Sequence, residues 1–314
     1  MTQRNWLIRG GTVITPDETI EDGTVVLYNG RIAYVGPEDS VPEFITSSNG
    51  TDVCAPGDLP VVDAAGGYIA PGYIDIHVHG GGGEDTMNAS VDALTVMAKA
   101  HAAHGTTGFL PTTMTAPHEQ VVAAARTVKE CMGLSAGDDW QGARVLGMHM
   151  EGPYINPSMV GAQNPAFVRP ADISELEELY GILGDGFRLI TLAPEQPGAD
   201  AAIEWLVERN IAIAMGHTAA TYEQALWALN RGVRQATHSY NAMTGLHHRK
   251  PGVVGAILTD SRLKGQLIAD GIHVHPAAMK ILAQAKGAEG VCLITDAMEA
   301  MGMPDGQYKL GGQT

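Results

Sequence analysis

The chain has 314 residues, 45% of them hydrophobic, enough for one large α/β barrel with a small appendage or for two ordinary domains. A formal net charge of −16 and a pI near 5.0 leave no basic stripe to displace phosphate counterions, which argues against nucleic-acid binding. Aromatics are scarce at 5% and glycines number 39, a bias that suits packed α/β architecture better than an aromatic-rich sandwich.

The opening residues, Met1 to Trp6, carry no long apolar run, so no signal peptide is expected, and no later stretch approaches a membrane span. The three cysteines, Cys54, Cys131 and Cys292, are scattered and odd in number. They imply no disulfide framework and lead us to expect a reducing, cytoplasmic setting.

Residues 6–14 read as a strand, and residues 24–36 as a hairpin about Asn29-Gly30. Residues 37–60, rich in Pro, Ser, Gly and Asp, read as a loop, and Val61-Val62-Asp63 as a last short strand. Residues 1–66 are therefore expected to form part of a small β domain. From Gly67 the rhythm becomes alternating strand and helix. Strands are predicted at 73–78, 106–110, 144–150, 187–192, 211–216, 234–238, 265–270 and 291–295. Helical patterns fall between most of them: one capped by Ser90, then 117–132, 172–183, 200–209, 221–231 and 276–286. Eight strands in βα alternation over 67–314 predict an α/β fold, a (β/α)8 TIM-like barrel, in preference to an open doubly wound sheet.

Polar residues cluster at the ends of these strands. In Tyr73-Ile74-Asp75-Ile76-His77-Val78-His79, the period of two places His77 and His79 on one side. The third strand ends at Glu151 before a Gly-Pro turn, the fifth at His217, the sixth at His238 and the eighth at Asp296. A barrel gathers these ends around one axis, giving a mixed nitrogen and oxygen set suited to Zn²⁺ or Fe²⁺, or to two ions sharing a carboxylate. Any one of these histidines alone reads as a packing residue; five phased strand ends together do not. His101 and His104 read as structural, His118 as solvated, and His149 as a neighbour of the ligands. The long stretch 155–165, poor in apolar residues, reads as a substrate loop. His247, His248, Arg249 and Lys250 gather after strand six, and His273 follows strand seven, so a small anionic group fits against that wall.

Taken together, Pro71 to Gly80, His149-Met150-Glu151-Gly152-Pro153-Tyr154, Gly216-His217-Thr218, residues 236–243, residues 268–273 and residues 293–298 resemble the amidohydrolase superfamily. Within it they are similar to the N-acetylglucosamine-6-phosphate deacetylases. The resemblance implies a metal-dependent enzyme that splits acetate from the sugar phosphate. It implies Glu151, His217 and His238 as ligands of the main ion, and His77 and His79 as ligands of a second. Asp296 would carry the proton, and Asn241 and Ala242, largely through backbone N–H, with Arg249 and His273, would hold the phosphate. Gln163 stands where many members have histidine, and would meet the N-acetyl carbonyl. The family implies a homodimer. Its members usually continue past residue 314 with a last helix and strands that complete the β domain, so the C-terminal part is expected to be missing. Two other readings stay open: an amidohydrolase of another N-acyl or cyclic amide substrate, and a metal-dead scaffold.

Overall fold

The computed structural model describes residues 5–46, 50 and 52–310. Residues 1–4, part of the 37–60 stretch (47–49 and 51), and the terminal 311–314 lie outside the described residues. Contacts divide the chain into two units, Met1–Gly72 and Tyr73–Thr314.

In the first unit, β1 (Trp6–Ile14) pairs antiparallel with β2 (Thr19–Tyr28), and β2 with β3 (Arg31–Pro37). Tyr28 faces Arg31 across Asn29 and Gly30, both at positive φ as a two-residue hairpin turn requires. The 37–60 stretch is more structured than a plain loop. It holds a short ladder of β4 (Ile45–Thr46) with β5 (Val53–Cys54) and a 3₁₀ turn at Pro56–Asp58. Ile45 is thereby buried with Leu7 and Val26. β6 (Val61–Asp63) and β7 (Tyr68–Ile69) both run parallel to β1. The β7 pairing carries the first unit to Gly72, some residues past the change of rhythm at Gly67. One face of this sheet stays open, with Ile32 64% exposed.

The second unit starts with β8 (Tyr73–Val78), followed by a small ladder of β9 (Gly80–Gly81) with β10 (Glu84–Asp85) and by α1 (Val91–Ala102). Ser90 caps α1 by accepting from the Ala93 N–H, and Leu94, Met97, Ala98 and His101 form its buried face. Then come β11 (Thr106–Thr113), α2 (His118–Ser135), β12 (Arg144–Val145), β13 (Met148–Glu151), α3 (Ile173–Leu183), β14 (Phe187–Leu192) and α4 (Ala199–Glu208). The unit closes with β15 (Ala212–Met215), α5 (Tyr222–Asn230), β16 (Gln235–Ala236), α6 (Gly252–Thr259), β17 (Lys264–Ile268), α7 (Pro276–Gly290) and β18 (Val291–Ile294). All pairings along β8-β11-β13-β14-β15-β16-β17-β18 are parallel. This is a nearly closed (β/α)8-like barrel. Buried Leu, Ile, Val, Met and Ala side chains of strands and helices form the main core, and Leu110, Leu189 and Ala214 a smaller cluster on the strands.

Two local departures from the expected pattern have physical reasons. The third strand is broken in two at Leu146-Gly147. Gly147 has φ +146, and a Cβ there would run into the Gly186 carbonyl. The stretch after strand six contains α6, which the sequence hides: six of its eight residues are buried, and its Gly and Val content gives poor helix propensity. Tertiary burial overrides propensity here.

The barrel's seam lies between β8 and β18, which form no ladder. It is held at the upper end by an Ala297–Val78 bridge and by the Asp296 N–H donating to His77 O at 3.0 Å. Among the described residues, none after β18 is helical.

Candidate metal centre

The barrel brings all five candidate ligands together. His77, His79 and Glu151 form one triad and Glu151, His217 and His238 another, each with its ligand atoms within 4.8 Å of one another and every member buried. Either cluster can hold a divalent metal ion, and Glu151 belongs to both. Its Oε1 lies 3.2 Å from Nε2 of His217 and of His238, and its Oε2 lies 3.1 Å from Nε2 of His79.

The spacing within each triad is that of ligands around a small cation. His217 and His238 Nε2 are 3.1 Å apart, as are those of His77 and His79. Atoms bound to tetrahedral Zn²⁺ at about 2.0–2.1 Å lie about 3.3 Å from each other. The hydrogen bonds point the same way. Nδ1 of His79 faces Thr112 O at 3.2 Å, Nδ1 of His217 faces Met159 O at 2.8 Å, and Nδ1 of His238 faces Asn241 O at 3.1 Å. A backbone carbonyl can only accept, so each Nδ1 carries the proton and donates it. Each Nε2 is thereby left as a lone pair aimed at the centre. In neutral form these lone pairs face each other and a carboxylate, an arrangement that only a shared cation or an added proton reconciles. The donor set therefore fits a metal.

Asp296 completes the centre from across the seam. Its Oδ1 is 3.2 Å from Nε2 of both His77 and His79, and its side chain is 22% exposed. Burial pushes its carboxyl up, but the neighbouring His77 and His79 outweigh this and hold it well below the ordinary range. Glu151 behaves alike: burial raises its pKa, and His77, His217 and His238 more than reverse the effect. Burial alone would lower His77 and His79, yet the Asp296 and Glu151 carboxylates raise both above the ordinary imidazole value.

Three residues of the centre sit on strained backbone. His217, His238 and Asp296 have φ of +46°, +29° and +53°, an uncommon region for residues other than glycine. Such strain collects where surrounding structure over-determines a functional geometry. Beneath them runs a layer of buried hydrogen bonds. His149 Nε2 meets Thr191 Oγ1 at 2.8 Å, and Thr191 Oγ1 meets Thr237 Oγ1 at 2.7 Å. Burial, with His77 beside it, holds His149 well below the ordinary value, so it stays neutral. Its ring centroid is 4.6 Å from that of His77, which makes it a packing neighbour of the ligands.

The remaining candidates divide. Gln163 is buried in the centre: its Nε2 donates to Glu151 Oε2 at 2.5 Å and its Oε1 accepts from the Thr115 N–H at 2.6 Å. Asn241 and Ala242 lie in the turn that follows His238. The Asn241 N–H is taken by His238 O at 2.9 Å, while its side-chain Nδ2 is held loosely, 3.4 Å from Ser239 O. Arg249 and His273 stand apart from the ligands and are exposed; Arg249 Nη1 meets His248 Nε2 at 2.8 Å, and His273 pairs with Asp270 at 2.6 Å. His101 is structural, bonded to Gly80 O at 3.0 Å, but His104 is exposed in the turn after α1. His118 is not simply solvated: it pairs with Glu178 at 2.9 Å where α2 meets α3.

Two carboxylates escaped the sequence reading. Asp75 accepts from the His77 N–H at 3.1 Å and from Thr295 Oγ1 at 2.6 Å, linking β8 to the end of β18. Its signal was present, since Asp75 shares strand parity with both histidines. Glu195, three residues past β14, bonds the turn after His217 and the 155–165 loop. An isolated Glu after a proline offered no such signal.

Residues 68–303 match the amidohydrolase family. The chain is 39% identical over 307 residues to N-acetylgalactosamine-6-phosphate deacetylase of Escherichia coli O157:H7, covering 98% of this chain and 75% of that one. It is 37% identical over 308 residues to N-acetylglucosamine-6-phosphate deacetylase of Bacillus subtilis, covering 98% and 74%. Among solved structures, N-acetylglucosamine-6-phosphate deacetylase of Pasteurella multocida superposes with a TM-score of 0.86 at 29% identity, covering 98% and 76%. A mutant of the Mycobacterium smegmatis deacetylase, solved with N-acetyl-D-glucosamine-6-phosphate, gives 0.85 at 32%, covering 98% and 75%. The chain thus spans about three quarters of the length of these relatives.

Proposed function

We propose that this chain, which belongs to the amidohydrolase family, hydrolyses the N-acetyl group of N-acetylglucosamine 6-phosphate, releasing acetate and glucosamine 6-phosphate. One observation carries the reading: two buried triads share a single carboxylate at the mouth of a parallel barrel, with an unshared aspartate beside them. Relatives named as N-acetylhexosamine-6-phosphate deacetylases support it.

Glu151, His217 and His238 would hold the main ion, and His77 and His79 a second. A divalent ion such as Zn²⁺ or Fe²⁺ held there would supply Lewis-acid activation of water and of the acetyl carbonyl. Asp296, whose Oδ1 lies 3.2 Å from His77 and His79, takes the proton of the attacking water and returns it to the leaving nitrogen. Gln163 steadies Glu151 and lies beside the place where the acetyl group must sit. Ala242 through its N–H, Asn241 through its side-chain amide because its own N–H is taken by His238 O and not through the backbone as expected, and Arg249 and His273 through their side chains receive the phosphate. Arg249 suits this role because its planar fork matches phosphate oxygens. The same reading expects a homodimer in the cytoplasm, where Cys54, Cys131 and Cys292 remain free thiols, as they are in the structure.

A second substrate has a specific observation in its favour: the relative from E. coli O157:H7 is named for the galactosamine epimer. Acetate release from the two N-acetylhexosamine 6-phosphates and from unphosphorylated N-acetylglucosamine separates the possibilities. We expect the glucosamine phosphate to have the highest kcat/KM. Loss of the phosphate should lower kcat/KM by about tenfold or more, the worth of a charged hydrogen bond. A higher kcat/KM for the galactosamine epimer overturns the sugar assignment, and equal rates without phosphate overturn the phosphate site.

A further inference from the structure

We propose that Glu195 is a positioning residue that clamps the 155–163 loop to the ligand His217, so that the loop sets both that ligand and Gln163. The inference rests on reading Glu151, His217 and His238 as a metal site. Glu195 stands three residues past β14, and its two oxygens accept three hydrogen bonds. Oε1 takes Asn156 Nδ2 at 2.9 Å and the Ala219 N–H at 2.7 Å; Oε2 takes Thr218 Oγ1 at 2.5 Å. Asn156 opens the loop after β13, and Thr218 and Ala219 directly follow His217. One carboxylate therefore fixes the end of strand four to the ligand turn of strand five and to the loop above it. Donor groups meeting an ionised acceptor give the stronger class of hydrogen bond.

The loop completes the circuit. The Asn156 N–H donates to His217 O at 2.8 Å, and Asn156 Oδ1 accepts from Ser158 N and Oγ at 2.8 and 2.7 Å. The Met159 N–H donates to Asn156 O at 2.9 Å, closing a tight turn. That turn presents Met159 O to His217 Nδ1 at 2.8 Å, the bond that fixes the His217 tautomer. Four residues later Gln163 reaches Glu151 Oε2. Without Glu195, Asn156 Nδ2, Thr218 Oγ1 and the Ala219 N–H lose their shared acceptor. His217, whose φ of +46° has no intrinsic support, then loses its brace.

A plain structural staple would affect melting alone. The clamp must affect the metal, since partners that orient a ligand typically change affinity or activity by about 10–100-fold. The test compares the whole parent chain with Glu195→Gln, Glu195→Ala, Asn156→Ala and the double variant Glu195→Ala/Asn156→Ala. Zn²⁺ affinity is measured by competition with a chromophoric chelator, thermal melting checks the fold, and kcat and KM are taken with N-acetylglucosamine 6-phosphate. We expect Glu195→Ala to lose Zn²⁺ affinity and kcat by about 10–100-fold with KM little changed. The double variant should lose less than the product of the two single losses, because both act through one loop. Folded variants that bind Zn²⁺ within about twofold of the parent overturn the clamp. If Glu195→Ala does not fold, Asn156→Ala, which cuts only the loop side, decides on the same Zn²⁺ criterion. A parent that binds Zn²⁺ but releases no acetate refutes the substrate reading and leaves the Zn²⁺ comparison intact.

Discussion

His77 and His79 differ from the other two candidate ligand histidines in what surrounds them. Asp296 and Glu151 press on both, and the carboxylates outweigh burial, so both imidazoles hold protons above the ordinary pKa of about 6.5. A protonated imidazole cannot ligate, so a cation must displace these protons. The sign follows: affinity for a second ion rises with pH until the raised pKa values are passed, and levels off above them. Titrating the metal-free protein with Zn²⁺ between about pH 6 and pH 8.5 should show this rise, with net proton release at the lower values. Affinity that is flat across the range, with no proton release, contradicts the charge balance drawn from the structure. At this scale the sequence was most informative. Strand parity alone put His77 and His79 on one side, and the phased strand ends brought in Glu151, His217 and His238. It could not assign the Nδ1 partners, because Met159 O and Thr112 O are backbone atoms supplied by folding.

At the scale of elements, each ligand depends on how its strand ends. β15 stops at Met215, and Gly216 then passes close to its neighbours. A Cβ at Gly216 would lie 2.7 Å from Thr237 Cβ and 2.8 Å from Thr191 Cγ2. Both threonines are fully buried, and their hydroxyls are bonded to each other. Neither can rotate away without leaving an unpaired polar group. Gly216→Ala should therefore destabilise the fold by about 1–3 kcal/mol, the usual range for overpacking. Because His217 is the next residue, Zn²⁺ affinity should fall in the same variant. Urea denaturation and Zn²⁺ titration measure the two; an unchanged midpoint would contradict the tight approach. Such contacts are invisible to sequence patterns. So is α6, whose residues Gly252, Val253, Val254 and Gly255 give no amphipathic period because nearly all sides are buried. By contrast α1 was legible, since Ser90 caps it and its apolar stripe has one face.

At the scale of the whole chain, the barrel unit makes one site from residues as distant in sequence as His77 and Asp296. Its seam is closed by the Asp296 N–H on His77 O and by Asp75 on Thr295, so strand one and strand eight meet at two of the candidate site residues. The eight-strand alternation made this architecture readable in advance. The seam contacts were not, because they pair residues about 220 positions apart with no local pattern. The proposed reaction is cleavage of the acetyl amide by the metal-loaded barrel, with Asp296 moving the proton. Its most direct test measures bound metal and acetate release on the same preparations of parent and Asp296→Asn. The parent should carry one or two divalent ions and release acetate from N-acetylglucosamine 6-phosphate. The variant should keep near-normal metal and lose turnover by at least about a hundredfold, the scale of a general acid–base contribution. A metal-replete Asp296→Asn variant that turns over at the parental rate contradicts the claim.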